Sequence, residues 1–220
     1  MKKTTKPPIA NLAEALAEAM PVLDHDEQEV ALALYRGLGS GEPVSPDALA
    51  SERGRDRAEV DEALERWPGV FRAEDGRVTS FWGLATGEMP HRFRVDGRRL
   101  FTWCAWDALF IPELIGRTAE VESRSPTSGE LVRLIVDPDG VREVDPATAV
   151  VSMLSPVETF DYHVISSFCH FVHFFPSAAE GEAWVSQHEG TLLLSVPEAH
   201  ELGRLVNRRR FDALLVSAPR

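Results

Sequence analysis

His91-Arg92-Phe93-Arg94-Val95, then Asp96-Gly97, then Arg98-Arg99-Leu100-Phe101-Thr102-Trp103 is the stretch that decides the architecture. Its first run alternates polar and apolar residues with period two, so its side chains divide between the two faces of a sheet. Asp-Gly is a preferred pair for a tight hairpin turn, and residues 99–103 resume as a second strand. Residues 104–115 follow as a helix-like apolar run, with Pro112 limiting its regularity. Residues 117–123 and 131–136 read as strands paired across a turn at 126–129, and 141–144 and 149–154 add short strands. Residues 166–175 form the most strand-like segment of all. Two helices, 178–188 and 197–207, flank a short strand at 192–196. The second half of the chain is therefore expected to be α+β with mostly antiparallel pairing.

Upstream, the period changes to that of helices. Leu12, Leu16 and Met20 mark one helix over residues 9–20, and Val30, Leu34 and Leu38 a second over 26–38, ended among Gly37, Gly39 and Gly41. Ser45 is a good N-cap for a short helix at 46–51. Residues 57–67, with Val60 and Leu64 inward, run until Pro68-Gly69 stops them. Residues 70–72, a turn at 74–76, and residues 78–84 then make a hairpin. Helices followed by a hairpin are winged-helix organisation. The expected division is a winged-helix-like domain over residues 1–86 and an α+β catalytic domain over 87–220, joined at a Gly/Pro-containing stretch near 85–90.

A winged helix raises the question of DNA. Arg53, Arg55, Arg57 and Arg66 offer positive charge, but Glu52, Asp56, Glu59, Asp61, Glu62 and Glu65 interleave with them. The whole chain of 220 residues carries a formal charge of -12, which repels phosphate backbones and anionic membranes alike. No nucleic-acid partner and no membrane partner are expected, and no apolar run is long enough to cross a bilayer. A composition of 44% hydrophobic and 26% charged residues is that of a globular protein. Met1 to Pro8 is basic without an apolar stretch behind it, a frayed tail and not a signal peptide. With only two cysteines, the expectation is a reducing cytoplasm with both thiols free.

Those two cysteines are the candidate site. Cys104 stands where a strand enters a helix, a position that favours a thiolate, and Asp107 lies three residues on, on the same helical face. A carboxylate beside a thiol blunts a plain nucleophile; it makes sense where a proton is handled or a cation bound. Cys169 lies in Ser167-Phe168-Cys169-His170-Phe171-Val172-His173-Phe174-Phe175. On a strand, Cys169, Phe171, His173 and Phe175 would share a face. Two thiols and a carboxylate suit a soft metal. A zinc site built from Cys104, Asp107, Cys169 and His173 is an alternative, although the short ligand spacing of structural zinc sites is missing. Buried small hydrophobes are the plain alternative for the cysteines, and packed core residues for His170 and His173. Trp103, Trp106, Phe168 and Phe171 are expected to pack around the site, and Arg208-Arg209-Arg210 to form a solvated helix end.

The segments around both cysteines resemble the bacterial alkylmercury (organomercurial) lyases. The matching residues are Arg99-Leu100, Trp103-Cys104-Ala105, Asp107, Leu114-Ile115-Gly116-Arg117-Thr118-Ala119, Ser167-Phe168-Cys169, Val172-His173-Phe174-Phe175, Trp184, His188 and Gly190. They occur in order and span most of the C-terminal half. Some members have further cysteines where this chain has Ser125 and His170. The resemblance implies a winged-helix-like start and a reaction carried by Cys104, Asp107 and Cys169, with mercury bound as substrate and product.

The implied reaction is protonolysis of the carbon–mercury bond of alkyl- and arylmercury compounds, giving a hydrocarbon and Hg(II). An unperturbed thiol is only about 3% ionised at pH 7, but metal binding drives its proton off. One cysteine is expected to take the organomercurial from a carrier thiol. The other ligates mercury and passes its proton to Asp107, which delivers it to carbon. No resident cofactor is expected. Small-molecule thiols in excess, or a mercuric reductase, would remove the product, in the service of mercury detoxification. Two other classes stand beside this one: a non-catalytic soft-metal-binding relative, and a winged-helix metal-sensing transcriptional regulator.

Overall fold

The structure, a computed structural model, describes residues 6–215; residues 1–5 of the basic tail lie outside them. Four helices open the chain: α1 (Ile9–Ala19), α2 (His25–Leu38), α3 (Pro46–Arg53) and α4 (Arg57–Arg66). Their limits follow local chemistry. Asp24 and Glu27 form a reciprocal capping box at the start of α2, which satisfies two otherwise unpaired backbone N–H groups. Pro46 begins α3 and Gly54, at φ 62, ends it.

Strands β1 (Val70–Arg72), β2 (Val78–Phe81), β3 (Leu84–Ala85), β4 (His91–Val95) and β5 (Arg98–Thr102) come next, then α5 (Asp107–Ile115). Strands β6 (Ala119–Arg124), β7 (Leu131–Asp137), β8 (Gly140–Asp145) and β9 (Val150–Leu154) follow. The last described elements are α6 (Val164–Ser167), β10 (Phe174–Phe175), α7 (Ala178–Val185), β11 (Thr191–Ser195) and α8 (Val196–Leu215). Eight strands make one sheet in the order β1-β2-β3-β5-β4-β6-β7-β8, and β10-β9-β11 make a second. Every pairing is antiparallel. The architecture is the expected α+β one, helices first and a mostly antiparallel sheet after.

The 91–103 hairpin forms as its pattern predicts. Phe93 faces Leu100 across the ladder, both buried, while Arg92 and Arg94 point to solvent. Asp96 and Gly97, at φ 50 and 77, supply the left-handed corner. The buried face continues through Val121, Leu134 and Val136 and is covered by α5 and α8. Each such side chain contributes about 1.5–3 kcal/mol by leaving water. Strands β1 to β3, from the N-terminal part, extend this same sheet. The N-terminal helices pack onto it as well, α2 against α5 and α1 against α8.

Residues 166–175 depart from expectation. They are not a strand: α6 ends at Ser167, a 3-10 turn spans Cys169–Phe171, and only Phe174–Phe175 pair in a sheet. Val164, Phe168 and Val172 are all buried, so the apolar spacing that packs is four, not two. Phe171, Phe174 and Phe175 hide that helical spacing under a β-rich composition. Arg210 also departs from the solvated-end expectation. It lies within α8, its guanidinium carbon 5.8 Å from the centre of the Trp82 ring and 5.1 Å from that of Phe211.

Candidate active site

Cys104 sits in the turn between β5 and α5, at the expected junction of strand and helix, and α5 itself begins at Asp107. The turn is pinned on several sides. The Trp103 N–H donates to Gly83 O at 3.0 Å and the Ala105 N–H to Val172 O at 3.1 Å. The Thr102 hydroxyl donates to Cys104 O at 3.0 Å. The bond to Val172 joins the two cysteine-bearing segments, which lie far apart in sequence. It brings the 3-10 turn of Cys169 onto the Cys104 corner.

Asp107 folds back on that corner, accepting the Cys104 N–H at Oδ2 over 2.8 Å. Its other side is pressed by the corner at residues 82–83. Trp82 is a non-glycine residue at φ 33, and its carbonyl accepts the buried Tyr35 hydroxyl at 2.9 Å. Gly83, at φ +98, lies so near that a β-carbon there would stand 2.5 Å from Asp107 Cγ. Only glycine meets both the positive φ and the close approach.

The sulfurs of Cys104 and Cys169 and a carboxylate oxygen of Asp107 lie within 4.8 Å of one another. Both cysteines are free, and the three residues are 0, 5 and 6% exposed for Cys104, Cys169 and Asp107. Burial pushes the Asp107 carboxyl up to about 7, against the pull of the Cys104 thiol and N–H. Burial likewise holds the Cys104 thiol well above its ordinary range. At Cys169 a hydrogen bond with Cys104 favours the thiolate, but burial and the Asp107 charge outweigh it and the thiol is raised. At neutral pH this is a protonated dithiol beside a carboxyl poised between its two forms. A soft metal bound by thiols drives their protons off.

The pocket around Asp107 and Cys169 is walled by Met20, Trp82, Trp103, Trp106, Phe110, Phe160, Val164 and Phe168. Trp103, Trp106 and Phe168 line it as expected. Phe171 does not; its ring packs edge-on against His170 and His188. His173 is not a ligand in this cluster. Its Nε2 lies 2.7 Å from His170 O and its ring meets Trp184 edge-on, so the four-residue zinc set is not assembled. The sequence pattern did not single out Met20 as a wall of the site, nor Tyr35, Trp82, Gly83 and Phe160. Only the positive φ at 83, invited by a glycine between apolar residues, left a trace in the sequence. Ser125 is engaged elsewhere: its hydroxyl, with those of Thr127 and Ser128, holds Glu180.

Two buried thiols and a carboxyl raised to about 7 lie together in an aromatic pocket, a set of atoms that could hold a soft metal ion. The alkylmercury lyase family matches residues 84–207 of the chain. An alkylmercury lyase of Staphylococcus epidermidis is 40% identical over 203 residues, 90% of this chain and 93% of its own. Another from Pseudomonas putida is 41% identical over 202 residues, 91% and 94% of the two chains. A crystal structure described as the mercury-bound form of MerB2 shares the fold, with a TM-score of 0.72 at 18% identity over 92% of this chain and 98% of that one. The chain belongs to the alkylmercury lyase family, whose enzymes cleave carbon–mercury bonds, and its substrate is an organomercurial.

Proposed function

We propose that Cys104, Asp107 and Cys169 carry out this cleavage, the cysteines as mercury ligands and Asp107 as proton relay. The observation that carries the proposal is the convergence of two sulfurs and one carboxyl within 4.8 Å, the carboxyl raised to about 7. An acid whose affinity for the proton matches the working pH is the efficient one.

One thiol takes the organomercury cation from a carrier thiolate and gives its own proton to the carrier. The second thiol then bonds to mercury and passes its proton to Asp107. Two thiolates enrich mercury in electron density, and the carbon–mercury bonding pair is captured by the Asp107 proton as a carbon–hydrogen bond. The hydrocarbon leaves, and Hg(II) stays on Cys104 and Cys169 with the Asp107 carboxylate beside it. No net oxidation occurs. Two small thiols, or the thiol pair of a mercuric reductase, would then exchange onto the metal and release it. Such a cycle works only with reduced cysteines, which supports a cytoplasmic setting and a role in mercury detoxification.

The division into residues 1–86 and 87–220 is retained in this reading as a winged-helix-like support and a catalytic part. A structural use of the helix-turn-helix, without nucleic acid, is supported by its arginines. Arg55 pairs with Asp26, Arg57 with Asp47 and Asp61, and Arg66 with Glu27. A membrane partner finds no support in the helices, since none among the described residues is long and apolar enough to cross a bilayer.

The test is hydrocarbon release. With phenylmercuric acetate and excess small thiol, wild-type protein should yield benzene by gas chromatography. Cys104→Ser and Cys169→Ser should yield none, and Asp107→Ala should still bind Hg(II) but turn over about 10²–10⁴-fold more slowly. Normal rates in any of the three would remove that residue from the mechanism.

A further inference from the structure

The three groups are almost closed off from solvent. The cavity touching Asp107 and Cys169 has a volume of about 10 Å³, room for about one water. Any organomercury group is larger, so a wall must move before turnover. Most of the walls are built into the frame. Trp82 and Trp103 lie on corners of the large sheet, Trp106 caps the start of α5 and Phe110 lies in it, and Val164 is in α6. Phe168 closes α6 with its N–H bonded to Val164 O.

Phe160 is different. It belongs to residues 155–163, which link β9 to α6 without helix or strand. Asp161 O and His163 O accept N–H groups of α6 at the end of this segment, and before them the Phe160 N–H bonds to Ala19 O at 2.7 Å and the Ser155 N–H to Gly190 O at 3.2 Å. The Tyr162 hydroxyl adds a bond to Glu65 O. On the far side of Phe160 lies an open cleft of about 750 Å³, lined by Leu154 and Pro156 and by the charged Glu158, Asp161 and Glu189. Phe160 and Phe168 line both spaces, with ring centres 4.9 Å apart. They are the partition between solvent and the thiols, and Phe160 is the half that no regular element holds.

We propose that Phe160 is the gate of this enzyme and a specificity-determining residue. Rotation of its side chain joins the outer cleft to Cys169 and Asp107, and its ring limits the size of the organic group admitted. The proposal rests on the lyase reading for its substrate and adds the route and the size selection. Closing the gate restores the dry pocket in which the proton transfer is confined.

The experiment compares kcat/KM for methylmercury and 1-naphthylmercury, each as its small-thiol complex, in wild type, Phe160→Leu, Phe160→Ala and Phe160→Trp. A second readout is the labelling rate of the thiols in metal-free protein by a bulky pyrene maleimide and by small methyl methanethiosulfonate. The naphthyl-to-methyl ratio should rise about tenfold or more in Phe160→Ala, rise less in Phe160→Leu, and fall in Phe160→Trp. Maleimide labelling should accelerate in the same order, with the small reagent changing less. Ratios and labelling within threefold of wild type across a folded series would overturn the gate. Phe160→Leu, which keeps most of the side-chain volume, decides the matter if Phe160→Ala is unstable. Failure of wild type to release methane from methylmercury would strike the lyase reading instead, and the labelling arm would still judge the gate.

Discussion

Gly83→Ala should disable the proton donor while leaving the metal site intact. The new β-carbon would stand 2.5 Å from Asp107 Cγ, where ordinary contact begins at 3.4 Å, so about 0.9 Å must be found. Neither side yields freely. Asp107 is held by the Cys104 N–H, and the 82–83 corner by Tyr35 and by the Trp103 N–H on Gly83 O. A misplacement of about 1 Å in a reacting group costs on the order of 10²-fold in rate. Alanine at φ +98 adds about 1–2 kcal/mol of backbone strain. With the contact included, a loss of about 2–4 kcal/mol should lower Tm by roughly 5–15 °C for a chain of this size. The assay is single-turnover methane release from methylmercury, read beside stoichiometric Hg(II) titration of the thiols. The expected outcome is one Hg(II) bound per chain and a rate down about 100-fold. A rate within threefold of wild type, with Tm unchanged, would refute the view that Gly83 keeps space for Asp107.

Tyr35→Phe removes the only side-chain donor recorded on the Trp82 carbonyl among the described residues. Leaving that buried acceptor unpaired should cost about 1–3 kcal/mol in urea unfolding, and an unchanged midpoint would dismiss the bond. His91 is buried with Nδ1 2.7 Å from Ser123 Oγ and Nε2 without a partner. Burial, helped by nearby His173, depresses its pKa from 6.5 to about 3. The folded protein thus keeps His91 neutral where the unfolded chain protonates it. Stability from this group is complete above about pH 6.5 and is lost as pH falls towards 3, by about 2–3 kcal/mol at pH 4.5. His91→Phe should flatten the fall in stability between pH 7 and 4.5 relative to wild type, and parallel slopes would exclude His91 as the acid-sensitive group.

The parts of the fold legible in sequence were those set by local rules. The 91–103 hairpin announced itself by alternation and Asp-Gly, and the helices by their apolar spacing and caps. The segment 166–175 misled because five aromatic or β-branched residues outweighed a spacing of four that is visible only once Val164 is counted in. Cys104, Asp107 and Cys169 could be picked out by residue type and by resemblance. Their convergence could not, since it depends on the bond from Ala105 N–H to Val172 O, a tertiary contact with no local signature. Tyr35 and Phe160 were silent for a similar reason. One looks like an ordinary core aromatic of a helix, the other like an apolar residue in a loop, and each acquires its place only when distant segments close around the thiols.

A pocket walled by aromatic rings also filters by hydration. Ions such as zinc or copper travel in tightly held water shells, and stripping charge of its water in apolar surroundings costs several kcal/mol. The R–Hg–S linkage of an organomercury–thiolate complex carries no net charge at the metal and holds no such shell there. Thiolates bind many soft and borderline metals once they arrive, so ligand type alone gives this chain little power to choose among them. The outer cleft, with Glu158, Asp161 and Glu189 on its walls, leaves a cation its water; the desolvation falls at the inner aromatic wall, where a hydrated ion has more to lose than an R–Hg–S group.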